Sequence, residues 1–134
     1  MAWLDKLSSW VLPHPGKKLV YALSEGSLAD EAFLSRKGAN LCELNRLGFN
    51  VPPAFILSAD ASLRYLQSEQ RDLSPALLDN ISHALAQMGH SCKKVFGATS
   101  GPPPLLVSVR GGALVCPSTG MHILHIILII HDIS

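Results

Sequence analysis

Pro104-Leu-Leu-Val-Ser-Val-Arg110-Gly-Gly-Ala113 reads as a buried strand that carries an arginine into a double-glycine turn. Its Leu and Val content suits a pleated, packed segment. The strand fixes the guanidinium, and Gly111 and Gly112 let backbone N–H groups approach an anion without Cβ interference. Upstream, Arg36-Lys37-Gly38-Ala39-Asn40-Leu41 puts a basic pair at the start of a helix. There the free N–H groups and the helix dipole already favour an anion. Arginine supplies a planar fork for bidentate binding and lysine a mobile point charge. The two segments together point to the phosphates of a nucleotide, with Lys37 and Arg110 as the contacting cations and Gly38, Gly111 and Gly112 as the backbone approach. Taken one at a time, a solvated lysine and a surface ion pair are the commoner outcomes for such residues.

The chain has 134 residues, enough for one domain with a modest core. Hydrophobic residues make up 48% and charged residues 16%, which excludes a disordered, acidic or polybasic protein. Lys and Arg number 11 against 10 Asp and Glu, a net charge of +1 that gives no reason to expect nucleic acid or an anionic membrane surface. Cys42, Cys92 and Cys116 are odd in number and widely spaced, so they read as reduced thiols of an intracellular protein and not as a disulfide frame or zinc site.

Residues 1–17, with Trp3, Leu4, Leu7, Trp10, Val11 and Leu12 ahead of Pro13-His14-Pro15-Gly16, read as a short amphipathic lead-in. They lack the basic start and continuous apolar core of a secretory signal. A cytoplasmic location follows, with an organellar one left open. Lys18–Leu23 suits a strand and Ser24-Glu25-Gly26 a turn. A helix is expected from about Arg36 to Leu47, stopped by Gly48, and a buried strand over Ala54–Leu57. Ser58 caps a short helix towards Tyr65 and Leu66. Ser74-Pro75 opens the longest helix, with Leu78, Ile81, Leu85, Met88, Cys92 and Val95 as its apolar stripe and a stop by Phe96-Gly97. Alternating strands and helices predict an α/β (α+β) unit with a mixed sheet and flanking helices.

Beyond Ala113 the pattern changes. Cys116–Met121 is loop-like, and Ile126–Ile130 reads as a final buried strand, too short for the roughly 20 residues that span a bilayer. No membrane association is expected. His83 and His90 read as surface or boundary residues of the long helix, and Cys42 as a core or boundary residue of the first. His122, His125 and His131 complete no recognised ligand spacing, so no metal ligand is assigned.

Lys18-Leu-Val-Tyr21, Ser24-Glu-Gly26, Lys37-Gly-Ala-Asn-Leu41, Leu47-Gly48, Val51-Pro-Pro53, Phe96-Gly97 and Pro104–Arg110 follow one another in an order that resembles the start of pyruvate, phosphate dikinase, a relative of phosphoenolpyruvate synthase. The resemblance covers residues 18–113, leaving 114–134 as a divergent apolar tail. It implies a partial nucleotide-binding domain of ATP-grasp type. In that family the domain passes a phosphoryl group from ATP, assisted by magnesium, to a histidine on a separate swivelling domain, and a third domain interconverts pyruvate and phosphoenolpyruvate. By motif match, Lys37 and Arg110 are the family's phosphate-contacting cations.

Departures accompany the matches. Ser35-Arg36 stands where the family has Gly-Gly, and Gly111 replaces a usual serine. The resemblance ends before the family's second nucleotide-binding half, which carries acidic magnesium ligands, and before the histidine and pyruvate domains. The expectation is therefore an ATP-binding part of a phosphotransferase, inactive alone and self-associating through apolar surface that a missing half would cover. The alternative is a non-enzymatic remnant or interaction module that keeps the scaffold without useful nucleotide affinity.

Overall fold

The computed structural model describes residues 18–70, 72–115 and 122–130. Strand β1 (Val20–Ala22) leads through two 3-10 turns (Leu23–Glu25 and Leu28–Asp30) into helix α1 (Glu31–Arg46). Strand β2 (Ala54–Leu57), helix α2 (Ala59–Gln67), helix α3 (Pro75–Cys92) and strands β3 (Val107–Val115) and β4 (His122–Ile130) follow. The four strands form one sheet in the order β1-β2-β4-β3. Every pairing between them is antiparallel, so the fold is α+β and the expected mixed sheet is corrected. The last apolar run fills the centre of the sheet, where β4 pairs with both β2 and β3; placed there, its backbone is bonded on both edges. This topology puts β3 at an edge, with Leu106 and Val109 exposed, and β3 runs unbroken through Gly111 and Gly112, which pair with Ile126 and His125; the expected buried strand ending in a double-glycine turn is corrected to an exposed edge strand that continues past both glycines.

All four residues of β2 are buried, as a continuous apolar run between two helical layers should be. On one face Phe55 and Leu57 join Leu19, Leu77, Met88 and Leu105. On the other, Ala54 and Ile56 join Tyr21, Leu23, Leu34 and Cys42. Thus α3 covers the first face and α1 the second.

Local capping explains most boundaries. Ser58 and Ser74 accept N–H bonds from Ala61 and Leu77, and Pro75 takes the first helical position of α3. After Leu47, Gly48 adopts φ 85 and its N–H bonds to Asn45 O, while Phe49 N–H bonds to Leu44 O. That paired closure is the Schellman pattern. α1 begins earlier than the expected Arg36. Ser27 and Asp30 close a local turn (Ser27 N–H to Asp30 Oδ2 at 3.0 Å), which starts the helix at Glu31. α3 stops earlier than expected, because Lys93 takes a left-handed conformation and Val95 leaves to bridge Pro104. Its buried anchor is Leu77, with Leu78 half exposed, so the core stripe runs through Leu77, Ile81, Ala84, Leu85, Met88 and Cys92. His83 and His90 are exposed, Cys42 is fully buried, and Cys42 and Cys92 are free thiols. The readings for residues 1–17 and 116–121, and for His131, fall outside the described residues.

The turn at Gly26 docks on α1 by close contact. A Cβ there would lie 2.5 Å from Leu34 Cδ1 and 2.7 Å from Cys42 Sγ, both on fully buried side chains. Burial also pushes the Cys42 thiol above its ordinary range, opposed by a bond from the Gly26 backbone. Gly26→Ala is predicted to destabilise the chain by about 1–3 kcal/mol, the usual range for overpacking. Urea denaturation checks this, and an unchanged midpoint would show that the turn does not press on α1.

Candidate functional site

The site begins at a break inside α1. Ser35 has φ 63 and ψ 165, a region open essentially to glycine alone, and it divides the helix into a short first turn and the segment from Arg36 to Arg46. Ser35 is buried, and its Oγ accepts the Gly38 N–H at 3.3 Å. It therefore acts as the N-cap of the second segment, which places Arg36 and Lys37 in that segment's first turn. The helix start expected at Arg36 is this internal restart. Arg36 turns back along its own helix, with Nε donating to Glu31 Oε1 at 3.1 Å. Lys37 reaches across to the sheet, where its Nζ lies 3.5 Å from the Gly111 carbonyl, the outer limit of a hydrogen bond.

The sheet register explains this meeting. Arg110 is opposite Ile127, Ile127 opposite Ile56, and Ile56 opposite Tyr21. Directly paired residues share a face. Arg110 therefore stands on the face that α1 covers, since Ile56 and Tyr21 belong to the α1 core. Gly38 lets the helix come close, for a Cβ there would stand 3.1 Å from Ile56 Cδ1. Lys37 and Arg110 are both exposed. Thus one helix start and one edge strand bring Lys37, Gly38, Arg110 and Gly111 to the same side of the sheet, with Gly112 next along β3.

This is a surface edge and not a closed cavity. A cleft of about 670 Å³ lies elsewhere, between β1 and α3, lined by Asn80, His83 and Gln87 among others, with the Lys18–Glu25 ion pair at its side. Neither Lys37 nor Arg110 lines it. Lys18 lowers the Glu25 carboxyl below its ordinary range, chiefly through their hydrogen bond. Among the described residues no three His, Cys, Asp or Glu groups are placed to hold a metal ion. The donor set at the Lys37–Arg110 edge is cationic and suits phosphate oxygens. It offers no carboxylate for magnesium, so none of these residues is assigned to the ion.

The fold and this edge define a partial α+β domain with two cations beside one strand. Comparison with known proteins gives it a family relationship. The chain is 39% identical over 94 residues to the chloroplastic pyruvate, phosphate dikinase of Flaveria trinervia, covering 69% of this chain and 9% of that protein. It is 39% identical over 94 residues to pyruvate, phosphate dikinase 2 of Zea mays, covering 69% and 10%. With pyruvate, phosphate dikinase of Clostridium symbiosum the identity is 35% over 96 residues, covering 72% and 11%. No protein-family model matches. About 70% of the chain is homologous to the pyruvate, phosphate dikinases, consistent with a partial domain of that family, and the chain spans about a tenth of the length of these relatives. Among the described residues no helix is long and apolar enough to cross a membrane.

The internal restart at Ser35 was visible only as a departure from the Gly-Gly pattern; nothing in its residue type signals a left-handed backbone. The conformation makes a paired prediction. Ser35→Gly removes strain of about 1–3 kcal/mol and loses a few tenths from the cap, with a further loss of about 0.5–1 in backbone entropy. Ser35→Ala keeps the strain and loses the cap, at a cost of about 1 kcal/mol. Denaturation midpoints should rank Ser35→Gly at or above the native chain and Ser35→Ala below it. The reverse order would place Ser35 in an ordinary helical conformation.

Proposed function

We propose that this chain supplies the ATP-binding part of a pyruvate, phosphate dikinase-like phosphotransferase, an ATP-grasp-type lobe that holds the nucleotide while its phosphoryl group passes towards a histidine on another domain. The observation that carries this reading is the meeting of Lys37 with Gly111, the residue after Arg110, on the α1 side of β3. Lys37 from α1 and Arg110 from β3 stand on one side of the sheet, beside backbone that carries no Cβ, which supports this reading. The relatives' names speak of pyruvate and phosphate, and the family resemblance implies ATP with magnesium; both support this reading.

Phosphoryl transfer asks a protein mainly for alignment and for neutralisation of oxygen charge. Arg110 would hold two phosphate oxygens with one planar group, and the edge position of β3 leaves it room to do so. Lys37 would exchange its long contact with the Gly111 carbonyl for a phosphate oxygen. A charged partner offers more than a neutral carbonyl at 3.5 Å. Gly111 and Gly112 would let the phosphates approach the strand without a Cβ in the way, whereas Gly38 is buried against Ile56 with its N–H held by Ser35 Oγ, and serves to bring the helix and Lys37 close. Magnesium, when bound with the nucleotide, would neutralise further phosphate charge; its carboxylate ligands are expected outside this set. Nucleic acid and membrane are not partners in this reading.

The test is a Mg-ATP titration of the full chain by calorimetry and thermal shift. A ligand that binds only the native state must raise its melting temperature. Lys37→Ala and Arg110→Ala are each expected to weaken binding at least about tenfold, roughly 1.4 kcal/mol, while circular dichroism stays unchanged. Their double variant should lose less than the sum, because both act on one ligand. No stabilisation of the native chain at millimolar Mg-ATP, or native affinity retained in both single variants, would overturn the proposal.

A further inference from the structure

The sheet has two outer edges, and the chain treats them differently. On the β1 side the edge is short and closed by its own residues. Ala22 N–H donates to Glu25 Oε2 at 2.9 Å, and Lys18 pairs with the same carboxylate. On the β3 side Val95 covers only the approach to the strand. Its N–H donates to Pro103 O at 3.1 Å, and its carbonyl accepts the Leu105 N–H at 2.9 Å. Among the described residues no strand lies beyond β3 from Val107 to Val115. This edge is nine residues long, carries Arg110 as its one charged residue, and leaves Val109 62% exposed. Such an edge is a template for pairing with another strand.

The alternation of an antiparallel ladder shows which backbone groups face outward, since directly opposed residues are by turns bonded and non-bonded pairs. Ser58 N–H donates to Leu19 O at 2.9 Å, so these two form a bonded pair and Ala22 N–H faces away from β2. Carried through the registers of β2 and β4, the alternation turns the N–H and C=O groups of Ser108, Arg110, Gly112 and Leu114 towards β4. Those of Val107, Val109, Gly111, Ala113 and Val115 face out. Leu105 agrees with this parity, because its N–H points to the same side and reaches Val95. Lys37 touches the outward row at the Gly111 carbonyl, at 3.5 Å, and that oxygen keeps a second lone pair. The row stays open.

We infer that the β3 edge pairs antiparallel with the same edge of a second copy of this chain, joining the two sheets into one. The outward row is self-complementary about Gly111. With Gly111 opposite Gly111 of the second copy, Val109 exchanges bonds with Ala113 and Val107 with Val115, each in both directions across the two-fold axis. Arg110 then lies opposite Gly112 in a close, non-bonded pair, where glycine leaves the guanidinium room. Sliding one copy by two residues would set the two Arg110 side chains opposite each other, and like charges so placed are destabilising. The occupant is thus chosen by the backbone row and by the place of its single charge. The inference is independent of nucleotide binding.

The test uses the full chain. Sedimentation should show a concentration-dependent dimer. Val109→Pro removes an outward N–H and no bond to β4, so it should weaken the dimer at least about tenfold while circular dichroism stays native. Amide exchange of the native chain decides the matter even where that variant fails to fold. Val109, Gly111 and Ala113 should gain protection as concentration rises, whereas Ser108, Arg110 and Gly112 should be protected at every concentration. Isotope-filtered Overhauser spectra of mixed labelled and unlabelled chains should connect Arg110 Hα of one copy with Gly112 Hα of the other. A chain that stays monomeric at millimolar concentration, or a dimer whose Val109 and Gly111 amides exchange freely, would overturn the inference. So would a dimer that a folded Val109→Pro variant leaves intact.

Discussion

The close approach of α1 to the sheet at Gly38 is the constraint on which the rest of the arrangement depends. Ile56 is completely buried beneath it, and a side chain at position 38 would press on the Ile56 methyl. A helix lifted even slightly would carry the preceding residue away from β3, because Lys37 meets the Gly111 carbonyl only at the limit of hydrogen-bonding distance. Packing on one core residue thus decides whether a surface cation can reach an edge strand. The energy lies in burial; the consequence lies in position.

Ser35 completes this geometry from the other side. Its left-handed backbone restarts the helix, so that Lys37 belongs to a first turn and not to a helix middle. The hydroxyl then secures one first-turn N–H by bonding to Gly38. A glycine would reach the same φ and ψ without strain but would leave that buried N–H without its hydroxyl acceptor.

Much of this was legible in the residues because local rules govern it. The Ser58 and Ser74 caps, the Gly48 closure and the apolar β2 run were found where their residue types put them. The start of α1 at Glu31 lies ahead of the expected Arg36, because Ser27-Leu-Ala-Asp30 closes a local turn and the helix then breaks and restarts at Ser35. The end of α3 was missed because Lys93 does the work usually given to glycine. The antiparallel sheet was not legible at all. It depends on β4 entering between β2 and β3, a long-range pairing that no local pattern records. The pairing of Lys37 with the Arg110 strand was legible only through family resemblance, as their contact spans distant parts of the chain.

Nuclear Overhauser spectroscopy on the isotopically labelled chain tests the central geometry most directly. The account predicts cross-peaks from the Gly38 Hα protons to the Ile56 methyls, together with cross-peaks from the Lys37 side chain to the Gly111 Hα protons. A Gly38 signal without neighbours from Ile56, in a chain whose β2 amides remain protected, would contradict it: α1 would then lie elsewhere on the sheet, and the two cations would share no edge.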